Sequence, residues 1–406
     1  MRTTRLLFLL GASALVTAFA CSSTTGSGFG DADGSAEGGG PGLAFGEAGT
    51  DGGPGPRVGT MKGKVVAPEG SIPISGALVY LTANEPKEIP SGVYCDKCVD
   101  LDSYSFAYTG PDGTFDLPVY STGEQYFVTQ KGQFRRVRKI KAVAGDNPPI
   151  PAEFTRLPSK TDPAKGDTIP KIGIVQGEWD AIQDALGDLG IEEFDMPAGG
   201  KVIGSASDMS KYHIIFLPCS GQANFGNPSC TPPPVGAALQ KNLRDYVQSG
   251  GKVYVSDWSY EYVRQTWPGF ITWAGQSGTM GSGCLDEVYE GKAQFDDPSL
   301  NAWMTAINET NATLEGSWTH ITSVNPQPGE DENGKPVTIT PKVWASTLVG
   351  GQPRPSTVSF QDKCGRVLFS TYHVEENQGL AAQVKALIHI LLQVSTCVGI
   401  QPQGPK

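Results

Sequence analysis

The chain has 406 residues, a formal net charge of −11 and 38% hydrophobic residues, and this length allows two or three domains with cores of their own. Its acidic balance argues against a nucleic-acid partner, because phosphate contacts need clustered Lys and Arg side chains. The basic stretch Phe134–Lys141 is the exception. We predict that it is an exposed edge strand whose charges block pairing with other strands.

Residues 1–20 contain two arginines followed by an apolar run that ends in small residues, a pattern typical of a cleaved secretory signal peptide. The run is too short to span a membrane. The Ala20-Cys21 end resembles the lipobox of bacterial lipoproteins, which implies that Cys21 is lipidated and anchors the chain in a bilayer. Ser22 is similar to the residue that sorts lipoproteins to an outer membrane or cell surface. Ordinary secretion is the alternative, since Ala18 stands where the lipobox favours leucine.

Residues 21–58 are rich in Gly, Ser and Asp and have almost no β-branched side chains. They cannot bury enough apolar area to offset the entropy lost on ordering, so they are predicted to be a disordered tether. About 37 such residues reach on the order of 30–35 Å. A tether of that reach would hold the folded part of the chain away from a lipid surface.

Residues 59–158 consist of short β-rich runs broken by Gly, Pro and Asp, which predicts an all-β domain. Gly113 lies in a Pro-Asp-Gly turn, where it is free to take a positive φ. The order of the stretches Pro73–Val79 and Thr109–Leu117 resembles the carboxypeptidase regulatory-like, transthyretin-type β-sandwich. This resemblance implies a supporting or adhesive module.

From Pro170 onward, buried strand patterns alternate with amphipathic helix patterns, which predicts a doubly wound α/β domain over residues 168–400. The first of these helices is predicted to carry Trp179 on its buried stripe. Residues 267–355 leave the alternating rhythm, with one helix predicted at Ser299–Ile307. A hairpin and an apolar helix then close the domain.

The order of these elements resembles the class I glutamine amidotransferase-like fold, with flavodoxin-like winding. In that family a sharp turn after a strand presents a catalytic cysteine, and a late His-x-Glu activates it. Here the late strand ends in His373-Val374-Glu375, and Asp257 stands in the place of the cysteine, within Val253–Val263. Because a thiolate is the group that attacks the amide carbon, its absence implies that glutaminase chemistry has been lost.

Two interpretations of the remaining polar residues stay open. Asp257, His373 and Glu375 are candidate catalytic residues that could form an acid–base cluster, with Glu375 orienting the imidazole. Alternatively, the site is degenerate and its polar groups satisfy one another at the carboxyl edge of the sheet. The second interpretation is favoured, because a fold does not carry a function without its site.

The seven cysteines after Cys21 are expected to form disulfides, because export places them in an oxidising compartment. The predicted pairs are Cys95–Cys98, Cys219–Cys230 and Cys364–Cys397. Cys284 is then the odd thiol. The C-x-x-C at Cys95 lacks nearby partners for zinc, and no metal or cofactor is predicted. Cys219 also follows a buried strand, where doubly wound folds bind ligands, but a disulfide that fixes the next loop is favoured.

The other candidate residues carry weaker signals. His389 lies in an apolar helix and is predicted to be a core residue, and His213 and His320 lie in strand patterns without ligands at metal spacing. Six tryptophans gather in the second domain, at positions 258, 267, 273, 303, 318 and 344. Most are expected in the core, and some could line a cleft suited to a sugar or a peptide.

The chain after the tether also resembles a group of uncharacterised secreted proteins of deltaproteobacteria, known only as carboxypeptidase regulatory-like. The stretches "FLPCSG", "SDWSYEYV" and "CGRVLFSTYHV" carry this resemblance. It implies an architecture and an exported location, and it implies no mechanism.

The favoured hypothesis is a non-enzymatic, membrane-tethered lipoprotein that binds a glycan, a peptide or a partner protein in the cleft near Asp257 and His373. The alternative is a hydrolase that uses this cleft, and a structural envelope component is a third possibility. The choice depends on the missing thiol. A free sulfur beside the imidazole of His373 would contradict the favoured hypothesis and call for enzyme assays.

Overall fold

The computed structural model describes residues 55–96, 99–101, 103–220, 235–275, 283–374, 379–392 and 398–400. The predicted signal peptide, the lipidation site Cys21 and all but the last residues of the tether lie outside the described residues, as does Glu375. Within the described ranges, no helix is both long and apolar enough to cross a membrane.

Short strands build the N-terminal region because their side chains alternate between two buried faces. In the second strand, Val79 and Leu81 join the main hydrophobic cluster, whereas Leu78 and Tyr80 join another one. The strands are β1 (Gly59–Lys64), β2 (Leu78–Thr82), β3 (Val99–Leu101), β4 (Phe106–Tyr108), β5 (Thr114–Val119), β6 (Gly123–Lys131), β7 (Phe134–Ala142), β8 (Gly145–Asp146) and β9 (Asp167–Thr168). Eight of them form a sheet ordered β5-β1-β8 and a sheet ordered β4-β2-β6-β7-β9, and β3 pairs in parallel with the strand Val398–Ile400.

The prediction that Phe134–Lys141 is an exposed edge strand is wrong in part. The two-residue strand β9 pairs with Arg135 and Arg136 and takes the edge position. The carboxylate of Asp167, on β9, forms ion pairs with Arg136 at 2.8 Å and Arg138 at 2.9 Å. These basic side chains therefore stabilise the edge of the sheet as well as carrying charge.

The second region is built on a mixed eight-stranded sheet ordered β10-β11-β12-β21-β20-β19-β14-β15. Its strands and the shorter ones around it are β10 (Ile172–Ile174), β11 (Ile214–Leu217), β12 (Lys252–Ser256), β13 (Ile271–Trp273), β14 (Cys284–Phe295), β15 (Thr313–Thr319), β16 (Ile321–Val324), β17 (Gln327–Glu330), β18 (Pro336–Ile339), β19 (Lys342–Val349), β20 (Gln352–Asp362), β21 (Gly365–Ser370) and β22 (Val398–Ile400). The first four strands of the sheet are parallel, and the other four are antiparallel to their neighbours.

The parallel half agrees with the predicted alternation of strands and helices, but the antiparallel half does not follow a doubly wound pattern. Residues 267–355, which were predicted to leave the rhythm, supply β14, β15 and β19 to the same sheet. The fold is therefore a sheet-rich, multidomain arrangement with a mixed central sheet.

Helices lie against both faces of this sheet, since alternate residues of each strand enter different cores. On β11, Phe216 joins one cluster with the helices Ile182–Asp188 and Ala382–Leu392, and Leu217 joins the other with the helices Ala237–Gln248 and Glu261–Thr266. The helices are α1 (Ala152–Thr155), α2 (Ile182–Asp188), α3 (Ala206–Met209), α4 (Ala237–Gln248), α5 (Glu261–Thr266), α6 (Pro298–Ala306) and α7 (Ala382–Leu392), with 3-10 turns at Pro163–Lys165, Ala198–Ile203 and Asp257–Tyr260.

Two predictions about helices have opposite outcomes. The predicted helix Ser299–Ile307 is confirmed as α6, which begins where the Asp297 side chain accepts the Leu300 N–H at 2.8 Å, a favourable N-cap. The placement of Trp179 on a buried helical stripe is wrong. Trp179 lies before α2, which begins at Ile182, and its side chain is 42% exposed.

The N-terminal strands and the mixed sheet share one continuous hydrophobic cluster, which includes Met61 and Trp303. The Trp303 indole N–H donates to the Pro73 carbonyl at 2.8 Å. Gly250 lets the two regions approach closely, because its φ is +110° and a Cβ there would lie 1.9 Å from the Tyr94 carbonyl oxygen. The two predicted domains are thus packed into one body at this side of the sheet.

The predicted disulfides are corrected by the structure. Cys95 is bonded to Cys364, so neither Cys95–Cys98 nor Cys364–Cys397 can form alongside it. Cys219 is a free, buried thiol, so the predicted Cys219–Cys230 bond is wrong as well. The predicted pairs relied on cysteines that are close in sequence, whereas the actual bond joins residues 269 positions apart. Cys98, Cys230 and Cys397 lie outside the described residues.

Candidate functional site

Four parallel strands that lie side by side each lead to one titratable side chain. Asp180 follows β10, Cys219 follows β11, Asp257 follows β12 directly and His373 follows β21. The carboxyl ends of parallel strands meet at one edge of a sheet, which is where open α/β sheets bind ligands. The fold therefore brings four residues that are distant in sequence to one place.

Three of these side chains are in mutual contact, and we call Cys219, Asp257 and His373 the carboxyl-edge centre. The His373 Nδ1 atom lies 3.2 Å from Asp257 Oδ2, and the Cys219 Sγ atom lies 3.7 Å from the same oxygen. One donor atom from each residue lies within 4.8 Å of the other two. Their exposed fractions are 1%, 0% and 8% respectively, so the centre is shielded from bulk water.

The backbone of Asp257 adopts a conformation that non-glycine residues rarely take. Its φ is +39°, at the point where β12 passes into a 3-10 turn. Such strained residues persist where the surrounding structure holds them, and they cluster at functional sites. The Trp318 backbone N–H donates to Asp257 Oδ1 at 3.2 Å, which leaves Oδ2 facing the thiol and the imidazole.

A second layer of hydrogen bonds fixes the positions of these groups. The Ser256 hydroxyl donates to the Asp180 carboxylate and accepts the Cys219 backbone N–H at 2.8 Å. The Val374 N–H donates to the other Asp180 oxygen at 3.3 Å. Asp180 thus links the ends of β10, β11, β12 and β21 from within the protein.

Burial controls the protonation of the centre. Burial raises the pKa of Asp257, and the neighbouring His373 opposes that rise. Burial also raises the pKa of Asp180, again opposed by His373. The pKa of the Cys219 thiol lies well above its ordinary value, because of burial and then the adjacent Asp257 carboxylate. The thiol is therefore protonated near neutral pH in the absence of a metal, and a protonated thiol is a poor nucleophile.

Three tryptophans form an aromatic surface next to the centre, and each is tied to it. Trp179 precedes Asp180, Trp258 follows Asp257, and Trp318 binds Asp257 through its backbone. Their rings meet edge to face, at 5.2 Å between Trp179 and Trp258 and 5.7 Å between Trp258 and Trp318. Trp179 is 42% exposed and Trp318 is 37% exposed, so this surface is partly open to solvent.

A cavity lies away from the centre. It has a volume of about 930 Å³ and lies between the N-terminal strands and the start of β10. Its lining mixes both charges, for example Arg138 and Lys165 with Glu192 and Glu193. Such a mixed lining does not select a ligand class, so its size alone assigns no function.

The structure brings Asp257 and His373 together, as the acid–base interpretation required, whereas Glu375 lies outside the described residues. The premise that no sulfur lies beside His373 is wrong. The sequence showed that Cys219 follows a buried strand, but the expectation of a disulfide outweighed that signal. Asp180 was missed, although it too follows a buried strand.

The remaining histidines have structural surroundings, in agreement with the sequence. His213 accepts the Lys171 N–H at 2.7 Å and contacts the Pro90 carbonyl at 2.8 Å. His320 packs against the Tyr289 ring at 4.2 Å between centroids, and His389 packs against Trp303 at 4.5 Å.

No protein-family model and no curated protein matches this chain. Among solved structures, a ThuA-like protein from Bacteroides uniformis is 12% identical with a TM-score of 0.34, over 57% of this chain and 94% of its own. A ThuA-like protein from Parabacteroides merdae is 13% identical with a TM-score of 0.32, over 57% and 91%. A catalytic mutant of a GH42 β-galactosidase from G. stearothermophilus is 11% identical with a TM-score of 0.32, over 58% of this chain but 31% of the enzyme. At TM-scores this low, the likeness carries no argument about fold or activity.

Proposed function

We propose that this chain is a hydrolase whose reacting centre is formed by Cys219, Asp257 and His373. The observation that carries the proposal is the contact of His373 Nδ1 with Asp257 Oδ2 at 3.2 Å, beside a free thiol. A buried carboxylate that holds an imidazole orients it and stabilises its protonated form. Since the thiol is protonated, water rather than sulfur is the nucleophile, and His373 accepts the proton of that water as general base.

The aromatic surface supports a substrate class. Indole rings offer flat apolar faces next to polar groups, and such rings are suited to the apolar faces of sugars or to peptide side chains. Trp179 and Trp318 are the most exposed of the three rings. We therefore propose a glycan or a peptide as the substrate, with its scissile bond directed at the carboxyl-edge centre.

Hydrolysis of pooled ester, amide and glycoside probes tests this proposal. The purified protein is expected to turn over at least one probe class, and His373→Gln is expected to lower that rate by about 10²–10⁴-fold. Asp96→Asn is the matched control, because this partly buried acid lies next to Cys95, which is bonded to Cys364 just before the start of β21. Equal rates for wild type and His373→Gln, with both proteins folded by circular dichroism, would refute the hydrolase.

Binding without catalysis is the second candidate function. It is favoured by the burial of the centre, since Asp257 is fully buried and His373 is 8% exposed, and a reacting water needs access. Such a chain would bind the same glycan or peptide, or a partner protein, and release it unchanged. Calorimetric titration with the probes separates the two candidates, because a binder shows saturable heat without product.

We also propose that the chain is exported and tethered to an outer membrane or cell surface through lipid on Cys21. The support is the sequence of residues 1–58, and residues 1–54 lie outside the described part of the chain. Radiolabelled palmitate should enter the wild-type chain and not Cys21→Ala in a bacterial host. Equal labelling of both chains would contradict the lipid anchor.

The finer assignment of residues 59–158 as a carboxypeptidase regulatory-like sandwich remains a proposal too. The two N-terminal sheets support it. An experimental structure in which these sheets do not face each other would overturn it. The role of Glu375 in orienting His373 likewise stays a prediction, which Glu375→Gln would test by its effect on turnover.

A further inference from the structure

The carboxyl-edge centre offers three different kinds of metal ligand at suitable separations. A thiolate, an imidazole and a carboxylate are the groups that zinc binds in proteins, with distances of about 2.3 Å to sulfur and about 2.0–2.1 Å to nitrogen or oxygen. A tetrahedral site with these distances places its ligand atoms about 3.3–3.6 Å from one another. Here Nδ1 and Oδ2 are 3.2 Å apart, and Sγ and Oδ2 are 3.7 Å apart. The third pair, Sγ and Nδ1, lies within 4.8 Å, so two of the three separations already match a tetrahedral site.

The charge distribution around the centre also calls for a cation. Asp180 and Asp257 are both buried, and both are placed around the same imidazole. Burying two carboxylates is costly unless positive charge compensates them, and among the described residues His373 does so only in part. A divalent ion between Cys219, Asp257 and His373 would supply it.

The groups around the three ligands are arranged as an outer shell. The Cys219 backbone is held by Ser256, and Ser256 is held by Asp180. The second oxygen of Asp257 is occupied by the Trp318 N–H. Such outer hydrogen bonds orient metal ligands and are part of what gives a site its affinity. Asp180 is not assigned as a ligand, because both of its oxygens accept hydrogen bonds.

An unpartnered hydroxyl lies at the same place. Thr319 is fully buried and its hydroxyl approaches the Asp257 carboxylate, but it has no well-aligned hydrogen bond to any described residue. Buried polar atoms without partners are rare and need an explanation. A water held in the fourth position of the metal would give this hydroxyl a partner.

We propose that Cys219, Asp257 and His373 bind one zinc-like divalent ion, with water completing its coordination. On binding, the thiol releases its proton to solvent and coordinates as the thiolate. This metal site extends the proposed hydrolase, and only its role in the reaction rests on that proposal. The metal would lower the pKa of its bound water, and the imidazole would then act as a ligand rather than as the general base.

Cobalt binding tests the site without any substrate. The full-length protein is stripped with a chelator, dialysed and titrated with Co²⁺, whose thiolate complexes absorb by charge transfer in the near ultraviolet. One equivalent is expected to produce this band, and one equivalent of Zn²⁺ to abolish it. His373→Gln is expected to weaken Co²⁺ binding at least about 10-fold, since even an outer-shell loss costs that much.

Cys219→Ser tests whether the sulfur that binds the metal belongs to Cys219. It is expected to remove the charge-transfer band, whereas Cys284→Ser, the same change at another cysteine, is expected to retain it. A band that survives in folded Cys219→Ser, or the absence of stoichiometric binding to the wild type, overturns the metal site. Asp257→Asn provides a second variant if Cys219→Ser fails to fold.

The outcomes also separate this inference from the proposed function. Chelator-insensitive hydrolysis that His373→Gln abolishes would overturn the metal and support the hydrolase. Stoichiometric Co²⁺ binding that depends on Cys219, without turnover of any probe, would support the metal site and refute the hydrolase.

Discussion

The two edges of the same parallel strands both carry charged groups, but they hold them in different ways. At the amino edge, Lys252 begins β12 and Arg366 lies near the start of β21. Lys252 donates to Gln133 of the N-terminal region at 2.7 Å, and the Cys95–Cys364 disulfide joins the regions there. At the carboxyl edge, Cys219, Asp257 and His373 contact one another, and Trp318 of the second region also binds Asp257.

The comparison shows that burial and a shifted pKa do not by themselves indicate a functional site. Burial lowers the pKa of Lys252 to about 8 and that of Lys131 to about 7. Yet Lys131 is held by the Ser75 and Gly76 carbonyls at 2.9 and 3.2 Å, which are structural partners. The carboxyl edge differs because chemically unlike groups converge on one another.

The largest expected effect comes from matched changes of one carboxylate at each edge. Asp257→Asn removes the group that orients His373, so we expect turnover to fall by about 10²–10⁴-fold. Asp96→Asn at the amino edge removes a partly buried acid whose pKa is raised by burial, and it should leave turnover unchanged. Steady-state kinetics of both folded variants measure the difference. Equal losses in the two variants would mean that the edges do not differ in function.

The disulfide at the amino edge is expected to have the next largest effect. Replacing Cys95 and Cys364 with serine frees a loop of 269 residues, and such losses typically cost about 2–4 kcal/mol in the free energy of unfolding. Urea denaturation measures this loss. Turnover of the folded double variant should equal that of the wild type, because the carboxyl-edge centre does not depend on this bond. A loss of turnover in the folded state would couple the two edges.

The sequence predicted the parts of the fold that local patterns determine. Alternating strands, the helix at Ser299–Ile307 and the hairpin that leads to His373 depend on nearby residues, and the structure contains them. The pairing of β14 with β19 and the Cys95–Cys364 bond depend on contacts between distant segments. No local pattern encodes such contacts, so these features were missed.

The residues of the candidate site also differ in whether local patterns could predict them. Asp257 and His373 follow strands whose position in the order of elements was visible, so their meeting could be predicted. The free state of Cys219 could not, because no local pattern shows whether a cysteine finds a distant partner. The expectation that cysteines of an exported chain form disulfides was applied to every cysteine, and it was wrong at Cys219.

The pH dependence of stability should report on the amino edge. Burial, and then Arg366, lowers the pKa of Lys131 from 10.5 to about 7. Between these values the unfolded chain holds a proton that the folded chain has lost, so the free energy of unfolding rises with pH. From pH 7 to pH 9 this group contributes on the order of 2 kcal/mol.

Lys131→Met should remove this contribution and flatten the rise, whereas the slope due to Lys252 remains. Denaturation midpoints measured at several pH values for the two proteins give the comparison. An unchanged slope in Lys131→Met would show that the lysine stays charged in the folded protein. Turnover at a fixed pH should not change, since Lys131 lies far from the carboxyl-edge centre.

The smallest effect on stability is expected from two equally exposed aromatic residues. Trp179 beside the carboxyl edge and Tyr108 on the N-terminal strands are 42% and 43% exposed. Replacing either with alanine should change the free energy of unfolding by about 0.5 kcal/mol or less, as surface substitutions usually do. Only Trp179→Ala should raise KM, by roughly 3–10-fold, because it removes a ring of the proposed substrate-binding surface. If both variants kept the wild-type KM, the aromatic surface would have no part in binding, and the site would consist of the buried polar groups alone.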